Sequence, residues 1–340
     1  MPRVAAALAA LALAAGLPLA GAQVSSGASG APVDAREMRA WLMRIHQAAR
    51  ERNFQGTFVV SGAGGVASAR IAHYWQGPNQ FERIESLDGQ ARHVYRYNDI
   101  VHTVWPQSRV VLVEQRKLPI SFPALLQAGD DRIADFYEVR QLGAERVAGY
   151  EANVLLVKPR DGYRFGYRLW AERSTGLLLR ADVLGEHGDA LETSAFSDVV
   201  IGVRAQPETV LQGMKRLDGY RVLRPVLAAT TLEAEGWSMK PAAPGFREVS
   251  CVRRPLDDYR AADAPADAAQ AVQTIFSDGL THVSIFIEPF DPQRHIRPML
   301  ASVGATQTLM RRQADWWVTV VGDVPAATLH SFSSALERRR

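Results

Sequence analysis

Cysteine is nearly absent from this chain. Cys251 is the only one in 340 residues, so an intramolecular disulfide is impossible and a cysteine-built zinc cage is excluded. Excess charge of one sign is also missing: 39 basic residues stand against 36 acidic ones, a net charge of +3. Nucleic-acid binders concentrate Lys and Arg on one face. Here Arg is mixed with Glu and Asp throughout, save the Arg338-Arg339-Arg340 tail, so no nucleic-acid partner is expected. Local basic patches suit an acidic partner or an anionic lipid headgroup instead. Beyond the N-terminus no stretch is both long and uncharged enough to span a bilayer. The signatures His-Glu-x-x-His, Walker A, Gly-x-Ser-x-Gly and Cys-x-x-Cys are all lacking. What remains is ordinary globular composition, 47% hydrophobic and 22% charged, at a length that suggests two domains. Cys251 then reads as a small buried hydrophobe.

The N-terminus carries an address. Arg3 precedes an uncharged Ala/Leu-rich run from Val4 to Leu19, and Ala20-Gly21-Ala22 fits the small-residue cleavage rule. Residues 1–22 are therefore expected to be a cleaved Sec signal peptide, with Gln23 the mature start. In a Gram-negative host this places the chain in the periplasm, an oxidising compartment that suits a chain nearly free of thiols.

Asp34 with Glu37 three residues on reads as a capping box. Met38, Trp41, Leu42, Ile45 and Ala49 then trace one apolar helix face. After Gly56 the period changes to two. Thr57–Ser61, Arg70–Trp75, Phe81–Leu87, Arg92–Tyr97, Ile100–Trp105 and Val110–Glu114 read as strands of an antiparallel meander separated by turn residues. Segment 119–135, with Pro119, Pro123 and Leu125-Leu126, reads as a short helix or plug-like loop. Strands resume at Phe136–Leu142, Glu145–Val147, Val154–Lys158, Tyr163–Glu172, Leu178–Leu184 and Glu192–Val200. About eleven strands and one helix make a curved sheet over residues 34–205. Residues 206–232, with a short helix near Thr209–Leu217, are expected to connect it to a smaller α+β unit over 233–340. That unit contains an exposed Ala/Asp-rich loop at Ala261–Ala271, hairpins at Val272–Phe290 and Ala305–Val321, and a closing helix from Pro325 to Leu336.

The search for chemistry returns candidates that the pattern weakens. Gly62-Ala63-Gly64-Gly65-Val66-Ala67 fits Gly-x-Gly-x-x-Ala, but a strand pattern follows where a dinucleotide site needs a helix. A hairpin loop is the better reading. His73, His93 and His102 stand in neighbouring strands and read as cross-strand packing rather than metal ligands. Asp130-Asp131 and Asp257-Asp258 are adjacent carboxylates in loops, which point apart instead of facing across a cleft. A hydrolase built on Asp130, Asp131 or His102 is a weak reading. No catalytic residue, metal or cofactor is expected. The surplus is aromatic: with strand alternation Phe165, Tyr167 and Leu169 share one face, while Arg168 and Trp170 share the other. An apolar concave face can hold an acyl chain or apolar peptide. Its candidate lining is Trp75, Trp105, Phe122, Leu125, Leu126, Phe165, Tyr167 and Leu169. The competing reading is that a helix fills the concavity.

Several strings resemble one family. In the second half they are Gly236-Trp237, Pro244-Gly245-Phe246, Glu248-Val249-Ser250, Arg253-Arg254-Pro255-Leu256, Ser277-Asp278-Gly279-Leu280 and Val318–Pro325. In the first half Arg160-Asp161-Gly162-Tyr163-Arg164-Phe165-Gly166-Tyr167-Arg168-Leu169-Trp170 joins them. Together, over residues 34 to 337, they resemble the RseB/MucB family of periplasmic sigma-E factor regulators. One departure is Ala242-Ala243-Pro244, where the family has Trp-Leu-Pro. The resemblance implies a mainly β fold: a LolA-like unclosed antiparallel β-barrel with helices, plus a smaller α+β domain. It implies a non-enzymatic regulator that binds the periplasmic domain of a membrane anti-sigma factor of RseA/MucA type and shields it from a site-1 protease. Lipopolysaccharide, lipid A or acyl chains would release it. On that reading Arg83 and Arg168 are candidates for the anionic headgroup, and Trp237, Phe246, Arg253 and Arg254 for the partner. Homo-oligomer formation stays open, and a lipoprotein or lipid carrier of LolA type is the alternative.

Overall fold

The computed structural model describes residues 30–116, 132–256 and 270–339. The signal-peptide run, Phe122, Leu125, Leu126, both Asp-Asp pairs and nearly all of the Ala/Asp-rich loop lie outside the described residues. The chain opens with β1 (Ala31–Pro32) and α1 (Ala35–Glu51). The expected cap is present: the Glu37 backbone N–H donates to Asp34 Oδ1 at 2.8 Å. A meander follows: β2 (Phe54–Gly62), β3 (Gly65–Gln76), β4 (Asn79–Ser86), β5 (His93–Tyr97), β6 (Ile100–Trp105) and β7 (Val110–Gln115). After α2 (Ile133–Phe136) come β8 (Tyr137–Val147), β9 (Tyr150–Pro159), β10 (Gly166–Glu172), β11 (Leu178–Leu184), β12 (Ala190–Ile201), α3 (Pro207–Lys215) and β13 (Arg221–Leu223).

These strands form one 13-stranded sheet, ordered β1-β8-β9-β10-β11-β12-β2-β3-β4-β5-β6-β7-β13. Its two ends do not pair with each other, so the barrel is unclosed. Two expected strands, Phe136–Leu142 and Glu145–Val147, are one strand: the apparent break is a bulge between Gln141 and Gly143, where Gly143 takes φ +115°, a backbone angle glycine tolerates. The expected strand at Tyr163 starts later, at Gly166, because 160–165 turns. The Gly-rich run is the β2–β3 turn, with Gly62 paired to Gly65 and a strand after it, as the hairpin reading required.

α1 lies on the inner face of this sheet. Its Met38, Leu42, Ile45 and Ala48 pack with Phe54, Ile71, Leu155, Leu169 and Leu179. α3 lies on the outer face, where Val210 packs with Ala72, Tyr74 and Phe81. Gly213 permits this close approach, since a Cβ there would stand 2.2 Å from the Tyr95 ring. The segment expected as a simple connection thus holds the expected short helix and also an edge strand: β13 pairs in parallel with β7, Leu223 opposite Leu112.

The second unit contains β14 (Ala228–Ala229), β15 (Trp237–Met239), β16 (Arg247–Pro255), β17 (Gln270–Ser277), β18 (His282–Pro289), β19 (Met299–Val303), β20 (Thr306–Gln313), β21 (Trp316–Gly322), α4 (Ala326–Ala335) and β22 (Leu336–Arg338). Seven of these form an antiparallel sheet ordered β14-β16-β17-β18-β21-β20-β19, and β15 pairs with β22. α4 covers one face, where Leu329 and Phe332 pack with Phe276, Val283, Ile285 and Val320. The mainly β architecture with an unclosed sheet and a smaller α+β unit agrees with the expectation.

Candidate functional site

Strand register decides which side chains share the inner face. Phe54 pairs with His73, His73 with Glu82, Glu82 with Arg96 and Arg96 with Val101. Period-two alternation then adds Trp75 and Trp105 to this face. Going the other way, Val60 pairs with Ser194, Ser194 with Ala181 and Ala181 with Leu169, which adds Leu169 and Tyr167. Trp75, Trp105, Tyr167 and Leu169 therefore share the inner face, but not one environment. Leu169 is 1% exposed in the core beneath α1, and Tyr167 and Phe165 are also buried. Here the helix fills the concavity. Trp75 and Trp105 are half-buried in the other half of the sheet, where Trp105 packs on Val110, Leu112 and Leu223.

The two candidate headgroup arginines both lie on the outer face. Arg83 pairs with Ala72 and Tyr95, which puts it on the outer face, 3.5 Å from Glu85. Arg168 shares the outer face with Trp170, its guanidinium 6.0 Å from that ring. Neither reaches the inner face. The arginine that does is Arg96, in the Trp75–Trp105 half, 8% exposed. Among the described residues its Nε has no hydrogen-bond partner. Its ion-pair partner among the described residues is Glu82, with Oε1 3.9 Å away, and Nη1 donates to the Arg116 carbonyl at 3.4 Å. Nearby His73 is fully buried, stacked on Phe54 at 5.0 Å. Its ring nitrogens face the Arg52 carbonyl and the Gln80 amide, each at 2.9 Å. Burial pushes its imidazole below its ordinary value, against the opposing pull of Glu82. Among the described residues no group of His, Cys, Asp and Glu has the geometry to hold a metal ion. Burial, then the Glu248 carboxylate, pushes the Cys251 thiol up to about 11, so it carries no thiolate chemistry at neutral pH.

The partner candidates also divide. Trp237 is wholly buried, edge-on to Trp316 at 5.7 Å with Arg338 over its ring at 5.2 Å; it is core. Phe246 is half-buried and edge-on to Phe332 at 5.4 Å. It lines a groove of about 560 Å³ with Leu232, Met239, Ala242, Phe276 and Phe332. Arg253 is exposed and paired with Glu235 at 2.6 Å. Arg254 lies on the other face, 6.0 Å from the Phe286 ring, with Nη1 donating to Gln273 at 3.0 Å.

The two units meet on one buried side chain that the sequence reading did not single out. Arg164 donates through Nε to Asp278 Oδ2 at 2.6 Å, and both side chains are 0% exposed. Its Nη1 donates to Asp161 and its Nη2 to the Pro244 carbonyl. The guanidinium is flanked by the rings of Phe136 at 4.5 Å and Phe246 at 5.0 Å. Tyr137 donates its hydroxyl to the same Asp278 Oδ2 at 2.9 Å, and Oδ1 accepts the backbone N–H groups of Leu280 and Thr281. Burial, then Asp278, pushes the Tyr137 phenol well up. Gly245, at φ +84°, is required: a Cβ would stand 2.5 Å from Phe136. Thr328 Oγ1 donates to the Tyr163 carbonyl at 2.9 Å. The signal was present in the strings: Arg164, Pro244-Gly245-Phe246 and Asp278 come from three of them, and they converge on one point.

Comparisons with known proteins cover both units. The family models for the MucB/RseB N-terminal domain and the MucB/RseB C-terminal domain match residues 37–214 and 231–337. The chain is similar to the sigma factor AlgU regulatory protein MucB of Pseudomonas aeruginosa, 28% identical over 303 residues, which span 85% of this chain and 87% of that protein. It is 24% identical over 306 residues to the sigma-E factor regulatory protein RseB of Escherichia coli, 89% and 90% of the two chains. Among solved structures, MucB in complex with MucA(peri) is 26% identical with a TM-score of 0.65, covering 90% of this chain and 100% of that one. The Pseudomonas aeruginosa MucA/MucB complex is 25% identical, again with a TM-score of 0.65, over 91% and 100%.

Proposed function

The chain belongs to the MucB/RseB family, and we propose that it is a periplasmic regulator that binds the periplasmic domain of a membrane anti-sigma factor. In this reading the bound chain shields the anti-sigma factor from site-1 protease cleavage and keeps the envelope stress response off. It does no chemistry. A lipopolysaccharide-class lipid releases it. The observation that carries the reading is the match of both units, in order and over nearly the whole chain, to a family with a solved relative bound to MucA(peri).

The physics of release supports it. Only a ligand that favours the partner-free form shifts the equilibrium, and hundredfold displacement needs about 2.8 kcal/mol of coupling. At about 0.8 kcal/mol per buried CH₂, a few methylenes supply that. The Trp75–Trp105 half of the inner face, which α1 leaves less covered, suits the acyl chains. Arg96 suits the phosphate because it stands there with an Nε donor that is unused among the described residues.

The test is calorimetric titration of the mature chain, from Gln23, with the cognate periplasmic anti-sigma domain. A complex at micromolar concentration or tighter is expected, along with slower site-1 protease cleavage of the bound domain. Lipopolysaccharide should then restore cleavage. No complex at micromolar concentration sinks the reading; a complex that lipid leaves intact sinks the release signal alone.

A further inference from the structure

Among the described residues the two large sheets end in four edge strands, and three of them are very short. β1 and β14 are two residues long, and β13 is three. Very short edge strands are a standard protection against unwanted pairing. The fourth edge is different. β19 is five residues, Met299-Leu300-Ala301-Ser302-Val303, with no charge or proline inside it, and it pairs only with β20 among the described residues. Its side chains are out in solvent: Met299 is 41% exposed, Leu300 46% and Val303 63%, and Ile296 just before it is 88% exposed. Both faces of the strand contribute, since Met299 and Val303 alternate with Leu300. Unpaired main-chain groups beside exposed apolar side chains are what strand addition uses.

The approach to this edge is held in place. His295 is buried and stacks on Trp317 at 4.8 Å, and its Nδ1 accepts the Asp291 N–H at 2.9 Å. That anchor fixes the segment whose next residues, Ile296 and Arg297, project outward. Arg294 pairs with Glu288 at 3.5 Å and Arg312 stacks over Phe290 at 3.9 Å. Arg297 is exposed and makes no ion pair among the described residues. At the other end Val303 abuts the first unit, where a Cβ at Gly64 of the β2–β3 turn would stand 2.7 Å from Val303 Cγ1. A strand laid along β19 therefore runs up to the junction of the two units.

We propose that β19 is a docking edge, which takes an extended apolar segment of the anti-sigma partner as an added antiparallel strand. Every pairing in this sheet is antiparallel, so the added segment runs against β19. Its C-terminal end then lies beside Met299 and Arg297. Charge complementarity puts Asp or Glu at that end and alternating apolar residues before it. The assignment rests on the anti-sigma reading above and deepens it by naming the surface and the kind of segment it takes.

The experiment is amide hydrogen exchange on the mature chain, alone and saturated with the cognate periplasmic anti-sigma domain, with titrations of three variants. Complex formation is expected to slow exchange across 299–303 at least tenfold. Met299→Lys combined with Val303→Lys is expected to weaken binding about tenfold or more, because lysines on an edge oppose strand addition. Arg297→Glu is expected to weaken it about threefold to tenfold at low salt and less at high salt. Val226→Lys, a more exposed apolar site beside the opposite edge, is expected to leave affinity unchanged. Thermal melts of all variants check folding, which these exposed positions should leave intact. A complex with wild-type affinity in the lysine variant and unprotected 299–303 amides overturns this assignment while leaving the anti-sigma reading standing. No complex with the wild-type chain overturns both. Protection of 299–303 in the isolated chain that grows with its concentration overturns it in favour of a second copy as the occupant.

Discussion

Two buried arginines in the same protein have opposite surroundings. Arg164, between the units, has all three nitrogens used: Asp278, Asp161 and the Pro244 carbonyl accept from them. Arg96, on the inner face, is nearly as buried but among the described residues leaves its Nε without a hydrogen-bond partner, with the Glu82 carboxylate 3.9 Å away. A buried charge that is fully paired fixes geometry; one only partly paired retains a debt of solvation that a ligand can settle. The comparison separates a structural key from a group prepared for an anion. It also yields variants with opposite signatures, one failing in stability and the other in response.

The largest expected effect is at the key. Arg164→Met removes the cation while Asp278 stays buried, and breaking such a pair costs about 3–5 kcal/mol. The drop should appear in urea midpoints as loss of cooperativity between the units. Asp278→Asn retains an acceptor for Leu280 and Thr281 and leaves Arg164 with Asp161 as its remaining carboxylate, so alone it should cost less than Arg164→Met. Combined, the two changes should cost clearly less than their sum, because neither leaves the other's charge stranded. Additive losses would show that the pair does not work as a unit. Arg96→Leu should behave in the reverse sense. It should cost about 1–2 kcal/mol, chiefly through the Glu82 carboxylate it leaves uncompensated. Yet it should raise the lipopolysaccharide needed for release at least tenfold, about 1.4 kcal/mol of lost coupling. An unchanged release curve removes Arg96 from the lipid site.

His73 sharpens the contrast, because it solves the same burial problem by remaining neutral. Its imidazole is held below 6.5 by burial, with Glu82 and the Arg52 carbonyl pulling the other way. The unfolded chain takes up a proton near pH 6.5 that the folded chain refuses. Stability from this group is therefore complete above that pH and falls as acid is added through the window below it. The slope is at most about 1.4 kcal/mol per pH unit. Urea midpoints between pH 7.5 and 5 should show this limb, and His73→Gln should flatten it. A slope that survives the substitution must come from another group.

Much of this arrangement is readable from residues alone, and the failures are physical. Arg70–Trp75 and Ile100–Trp105 report strands through their β-branched and aromatic content, even though Ile71–Tyr74 are buried on both faces, and Asp34 reports a helix start because its carboxylate caps one. The side on which Arg168 lies was also readable: one strand carries it with Trp170 and away from Tyr167 and Leu169. Placing Arg83 needs the hairpin register, in which Gln76 opposes Asn79 and hence Arg83 opposes Ala72. β19 escapes pattern reading because an edge strand exposed on both faces has no alternation to show. Trp237 looked like a contact residue because a tryptophan beside a glycine turn is ambiguous; only the packed Trp316 and Arg338 around it reveal core. Arg164 was hidden by distance, since Asp278 lies 114 positions away and no local rule links them.

The smallest expected effect tests whether side of sheet, rather than charge, is what distinguishes these arginines. Arg83 is one position from Glu82, which opposes Arg96, yet it points outward to Glu85 at 3.5 Å with about a third of its side chain exposed. A pair in that setting is worth about 0–1 kcal/mol. Arg83→Leu should therefore shift the urea midpoint only slightly and leave the lipid concentration for release within twofold of wild type. If charge near the inner face were enough to recruit a phosphate, Arg83→Leu and Arg96→Leu would impair release alike. The partner-binding affinity should be unchanged in both, which separates a defect in sensing from one in docking. Equal release defects would mean that the long-range field of the sheet, not the unused donor on its inner face, draws the anion.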